Sequence, residues 1–187
     1  MRSVLAARID RPTEDEKRTI QTAAVIGRTF PERVLLEVSS AEVNGLAECL
    51  SGLRDKEFVY EERLFPEVQY TFKHPLTHEV ALQSQLASRR RAVHASVASA
   101  IEKLYPDKLG ENAALLATHW EAAGDGLQAA RWNKRAAEWA GVSATAEAGR
   151  HWRKVLELLD NLPENEETTA LGLAARARSW ASDGELG

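Results

Sequence analysis

The sequence is short of the residues that staple a fold, anchor it in lipid or bind phosphate. It has one cysteine, Cys49, in 187 residues. That excludes an internal disulfide and a cysteine-built zinc site, and it suits a reducing compartment. No stretch approaches the ~18 consecutive apolar residues of a membrane-spanning helix. The opening Met1-Arg2-Ser3-Val4-Leu5-Ala6-Ala7-Arg8 has basic residues, but its apolar run is too short for a signal peptide. The expected location is the cytoplasm. Positive charge is not in surplus either: 24 Lys and Arg stand against 28 Asp and Glu, a net charge of −4. This is a poor start for a chain that grips phosphate backbones. No G-x-x-x-x-G-K-[ST] loop occurs to cradle a nucleotide. No Ser/His/Asp set has suggestive local context, so a non-catalytic protein with no cofactor of its own is expected.

Strands are scarce as well. Glu57-Phe58-Val59-Tyr60-Glu61 reads as one, and Val68-Gln69-Tyr70-Thr71-Phe72 as a second. In the latter, Val68, Tyr70 and Phe72 share a face, with Gln69, Thr71 and Lys73 opposite. Pro66 and its polar neighbours break the pattern between the strands, as a hairpin loop requires. This hairpin is the only sheet the sequence predicts. A lone hairpin is marginal in water and has to lie on helices.

What is abundant is helical pattern over an ordinary globular composition, 44% hydrophobic and 28% charged. Thr13 and Glu16 form a capping-box signature behind Pro12, predicting a helix to about Gly27 with Ile20, Ala23, Ala24 and Gly27 on one stripe. Phe30-Pro31 restarts the chain into a short helix carrying Val34, Leu35 and Val38, with Pro31 at its first position. Ser39 to Glu42 offers a second capping box, ahead of a helix over about 41 to 56 with Val43, Leu46, Leu50 and Leu53 on one face. Three short helices and then a two-stranded wing is the order of a winged helix. Helices are then expected over 75 to 87, 88 to 104, 112 to 123, 127 to 140, 144 to 159 and 166 to 181. Gly124 and Gly141 stand 17 residues apart, and His-Trp recurs at 119 and 151. This is close to the ~34-residue period of tetratricopeptide repeats, two helices per period. The expected fold is therefore mainly α: a winged-helix domain over 1–83 and a tetratricopeptide-like α-solenoid over 84–187. Both ends read as cut from a longer chain.

Four groups could carry function. His74 and His78 stand i, i+4 beside Glu79, but the pattern is not H-E-x-x-H and no third metal ligand is evident. Arg89, Arg90 and Arg91 point in different directions on a helix, which suits a solvated or ion-paired face, or a contact with nucleic acid or another domain. The third helix, the reader in a DNA-binding winged helix, carries Glu42, Glu48 and Asp55 against Arg54 and Lys56, and the wing adds Glu61, Glu62 and Glu67. That surface repels phosphate, so a DNA-binding winged-helix transcriptional regulator is the alternative rather than the first reading. The tryptophans at 120, 132, 139, 152 and 180 fall at helical spacings and read as packing anchors between helices.

A family resemblance joins these pieces. Arg8-Ile9-Asp10-Arg11-Pro12, then Ala23-Ala24-Val25-Ile26-Gly27-Arg28-x-Phe30, then Tyr70-Thr71-Phe72-Lys73-His74-Pro75-Leu76-x-x-Glu79-Val80-Ala81, then Arg89-Arg90-Arg91-x-x-His94, occur in that order. Over about residues 5 to 160 the chain resembles the region after the ATPase module of bacterial STAND-type signalling ATPases, often described as adenylate or guanylate cyclases or ATP-dependent transcriptional regulators. The resemblance implies a regulatory piece of a larger protein that relays between a nucleotide switch and partner-sensing repeats. ATP or ADP belongs to the parent. The implied partners are the ATPase domain of the same chain and an unknown protein or small molecule at the repeats. His74 would take the place of the histidine that contacts nucleotide phosphate, although Pro75 follows where many relatives have an acidic residue. An imidazole N–H at a helix N-terminus is a sensible donor to an anion.

Overall fold

The computed structural model describes residues 12–39, 43–63 and 67–183. Among them are nine α-helices and one three-stranded sheet, so the protein is mainly helical. The chain divides into two compact units, residues 1–100 and 101–187. The division falls inside a helix, α5 (Ala87–Leu104), whereas the boundary expected at 83–84 marks the turn ahead of it.

The first unit starts with α1 (Glu14–Ile26). Thr13 Oγ1 accepts from the Glu16 amide at 3.2 Å, and the Glu16 carboxylate accepts from the Thr13 amide at 2.6 Å. This closes the capping box, and Glu14, Asp15 and Glu16 in the first turn suit the positive end of the helix dipole. A strand follows, β1 (Thr29–Pro31), then α2 (Glu32–Ser39) and α3 (Val43–Asp55). Next come β2 (Val59–Arg63), β3 (Gln69–Phe72) and α4 (Pro75–Gln83). The capping box expected from Ser39 to Glu42 and the loop around Pro66 lie outside the described residues.

Two expectations are corrected here. The hairpin is not alone: β1 adds to it, giving the antiparallel order β1-β3-β2, with Phe30 opposite Tyr70 and Val59 opposite Phe72. Residues 29–31 are therefore strand, and α2 begins at Glu32 rather than Pro31. Proline is tolerated in β1 because that strand is an edge. Nor does β2 begin at Glu57. That residue adopts φ 60°, and Phe58 N–H and Glu57 N–H reach back to the carbonyls of Leu53 and Arg54. These are the two bonds of a Schellman motif, so Glu57 ends α3 instead of opening the strand. A smaller difference is the end of α4, which stops at Gln83.

The core of this unit joins all the layers. Ile20, Ala23 and Ala24 of α1 meet Leu35 of α2 and Leu46, Leu50 and Leu53 of α3, over Phe30, Val59, Tyr70 and Phe72 of the sheet. Phe30 stacks on Tyr70 with ring centres 6.0 Å apart and meets Phe72 edge-on at 5.8 Å. Burial, with Glu32 and Glu61 nearby, pushes the Tyr70 phenol up despite Arg54. The Glu16 carboxylate lies over Gly52 of α3, where a Cβ would displace it, and receives Lys56 Nζ at 2.5 Å.

The second unit is built from successive helices: α6 (Ala113–Ala123), α7 (Gly126–Ala140), α8 (Thr145–Leu159) and α9 (Glu166–Asp183). Each packs on the next, as short connections dictate. Gly124 closes α6 at φ 87°, a left-handed conformation that glycine adopts at little cost. The Asp125 side chain then caps α7 by accepting from the Gln128 amide at 3.0 Å. The core sets alanines against one large ring: Ala130, Ala137, Ala148 and Ala175 surround Trp152, Val155 and Leu171.

Candidate functional site

His74 occupies the N-cap of α4, two residues past the end of the sheet's central strand. Its backbone is extended (φ −127°, ψ 131°) and its side chain makes no capping bond. The imidazole is exposed and has no hydrogen-bond or ionic partner among the described residues. Pro75 fills the first helical position and removes one N–H that could have faced an anion. His78, one turn on, is committed to the fold. Its Nε2–H donates to the Ala24 carbonyl at 2.9 Å, and its ring meets Phe72 edge-on at 5.1 Å. The two histidines are thus unequal, one a latch between α4 and α1 and the other free. Among the described residues no group of three His, Cys, Asp or Glu side chains is placed to hold a metal ion.

The three arginines at the start of α5 diverge, as their spacing requires. Arg89 lines a cavity of about 660 Å³ in the first unit, with Arg18, Asp15, Glu48, Cys49 and Ser96. Arg90 donates to the Leu82 carbonyl at 3.4 Å, and Arg91 is exposed. No hydrogen bond or ion pair joins any of them to His74 among the described residues. Burial and the charge of Arg90 hold the nearby His94 below its ordinary value. The exposed side of α3 offers Glu48, Arg54 and Asp55, and Arg54 is taken by Glu61 and Asp55 at 3.8 and 3.9 Å.

The second unit holds a site whose residues the sequence reading treated as structural or passed over. Trp139, expected to anchor helix packing, is 66% exposed. It leans on Gly110, where a Cβ would run into its ring. Trp132 and Trp152 are buried as expected. Trp120 is half-buried and donates from Nε1 to Glu102 at 3.0 Å, while the Trp180 side chain lies outside the described residues. Trp139 borders a cavity of about 320 Å³ together with Glu111, Glu147 and His151. His151 is oriented from behind. Asn133, only 4% exposed, donates from Nδ2 to the Ala129 carbonyl at 2.9 Å, which turns its Oδ1 to His151 Nδ1 at 2.8 Å. Burial lowers the His151 pKa, Glu147 opposes that shift and Arg150 adds to it. The one sequence signal for this site is the i, i+4 spacing of Glu147 and His151 on α8. Glu111 and Trp139 come from other segments.

Comparison with protein-family models finds no match, and comparison with curated proteins finds none. Among the described residues no helix is long and apolar enough to cross a membrane.

Proposed function

We propose that this chain is a non-catalytic regulatory segment of a larger signalling ATPase of the STAND type. In this reading the first unit is a winged helix: α1, α2 and α3 form the helical part, β2 and β3 the wing, and β1 the strand that completes its sheet. The second unit supplies tetratricopeptide-like helical pairs that bind a protein or small-molecule partner. The winged helix faces the ATPase domain of the same protein, and ATP or ADP is bound there, not here. The two arms of such a relay act by biasing one two-state element.

The observation that carries the reading is the contrast between His74 and His78. An exposed imidazole with no partner, at the positive end of a helix and beside the sheet, is free to donate to a phosphate oxygen. A histidine kept only to join wing and helix would be tied down as His78 is. Reading DNA gains no comparable support, because the exposed side of α3 is acidic and its Arg54 is already paired.

The test uses the longest natural protein that contains the chain. His74→Ala should weaken ADP retention about tenfold, the worth of one charge-assisted hydrogen bond, and should raise basal ATPase activity. Unchanged nucleotide affinity with unchanged basal activity would remove the role given to His74. A natural protein with no phosphate-binding ATPase segment would sink the whole reading.

A further inference from the structure

We infer that the cavity between Trp139, Glu111, Glu147 and His151 is a binding site for an alkyl guanidinium, presented as an arginine side chain or as a small free cation. The cavity, about 320 Å³, is large enough for such a side chain and its neighbouring backbone. Among the described residues its lining has no lysine or arginine, and its only side-chain donors are the Trp139 indole N–H and the His151 imidazole. Glu111 and Glu147 are exposed carboxylates with no ionic partner among the described residues. His151 contributes a third acceptor. Its Nδ1–H is spent on the buried Asn133, which leaves the Nε2 lone pair without a partner among the described residues. Arg150 lies near His151 but does not border the cavity.

Three acceptors and one aromatic face call for a flat, permanently charged group with several N–H donors. A guanidinium meets that need better than an ammonium, because it stacks on an indole while its edge bonds carboxylates. The exposure of Trp139 also fits. A ring whose only task was packing would be covered, yet this one rests on Gly110 and leaves two thirds of its surface open. The orientation of His151 is fixed before any ligand arrives, since Asn133 is itself held by the α7 backbone. The inference rests on the 110–151 segment alone and is independent of the regulatory role proposed above.

The probe is acetyl-arginine methylamide, titrated into the whole chain and followed by the Trp139 indole N–H resonance, assigned by its loss in Trp139→Leu. Saturable binding is expected at roughly millimolar concentration, as befits so small a ligand. The neutral isostere acetyl-citrulline methylamide should bind about tenfold more weakly, and so should the arginine probe to Glu147→Gln. In Trp139→Leu, followed through the His151 ring protons, the loss should be about threefold. Glu79→Gln, which alters an exposed carboxylate on α4, should change nothing. An arginine-bearing tripeptide binding tighter than butylguanidinium identifies a peptide side chain as the ligand, and equal affinities identify a small free cation. Equal binding of the arginine and citrulline probes overturns the inference. So does affinity that survives both Glu147→Gln and Trp139→Leu.

Discussion

The two units bury their apolar residues by opposite routes. In the first, one core collects side chains from seven elements, and its ties span long stretches of chain. Thr29 Oγ1 meets Thr71 Oγ1 at 2.8 Å across the sheet, Glu16 meets Lys56, and Gln21 donates to Ser84 at 2.9 Å. In the second, α6 to α9 pack mainly on their neighbours in sequence, and the side-chain ties step along with them: Glu102 with Trp120, Asn133 with His151. The first arrangement needs bulk, supplied by Phe30, Phe72, Ile20 and four leucines. The second needs small residues that let helices close on a few large ones. A long-range core makes every layer depend on the others. A stack of neighbours limits each loss to the adjoining helices.

The sharpest way to break that comparison is to make one equal wound in each unit. Phe72 is fully buried on the central strand, and Trp152 is 6% exposed in the middle of α8. Truncating either to alanine should cost about 3–5 kcal/mol, read from urea unfolding. The reach should differ. Hydrogen exchange in Phe72→Ala should accelerate together in α1, α3 and all three strands. In Trp152→Ala it should accelerate most in α7, α8 and α9 and much less in α6. Uniform loss of protection over α6 to α9 would show that the second unit is as cooperative as the first.

A smaller effect separates the units by their carboxylates. Glu16 and Glu167 both titrate below the ordinary 4.5. Burial works against ionisation of Glu16, but Lys56 and the Thr13 amide and hydroxyl together outweigh it. Glu167 is exposed and takes its shift from a bidentate pair with Arg131 at 2.5 and 2.8 Å. A depressed carboxylate stabilises above its unfolded pKa and loses that contribution as pH falls through the folded value. Stability should therefore decline as pH drops below about 5, and Glu16→Gln should flatten part of that decline. At neutral pH Glu16→Gln should cost about 1–2 kcal/mol, the worth of a cap and a charged hydrogen bond. Gly52→Ala should cost about the same, because a Cβ there evicts the carboxylate from its seat. Molar salt should erase the Glu167 contribution and leave more of the Glu16 one, since of the two carboxylates only Glu16 is shielded from solvent.

The features that could be read from sequence were those carried by local chemistry. Thr13 and Glu16 announce a helix start, and the capping box closes as their spacing predicts. The alternation from Val68 to Phe72 marks β3, because one face of that strand lies on the core. β1 was hidden because three residues ending in proline carry no period, and its pairing with β3 is decided by chain folding back 42 residues later. Trp139 was grouped with the other tryptophans because helical spacing reports which residues share a face, not whether another helix covers that face. The same limit hid its cavity, whose lining comes from α6, α7 and α8 and the segments before α6 and α8. For His74 the sequence supplied the place, at a strand–helix junction, but not the contrast with His78, which depends on the distance to the Ala24 carbonyl.

Glu57 offers the smallest test and the only one expected to raise stability. At φ 60° it holds a conformation that costs a side chain about 1–2 kcal/mol and glycine almost nothing. The surrounding motif over-determines it: Phe58 N–H bonds the Leu53 carbonyl at 2.9 Å, Glu57 N–H bonds that of Arg54 at 2.8 Å, and Phe58 is buried in the same core as Leu53. Against the strain stands an exposed ion pair with Lys73 Nζ at 2.6 Å, worth about 0.2–1 kcal/mol. Glycine would also loosen the unfolded chain, which offsets part of the gain. Glu57→Gly should therefore stabilise the first unit by about 0.5 kcal/mol, the difference between relieved strain and these two losses. Glu57→Ala should destabilise it, because alanine keeps the strain and loses the ion pair. If glycine and alanine shift the urea midpoint in the same direction, backbone strain at the end of α3 is not what distinguishes this position.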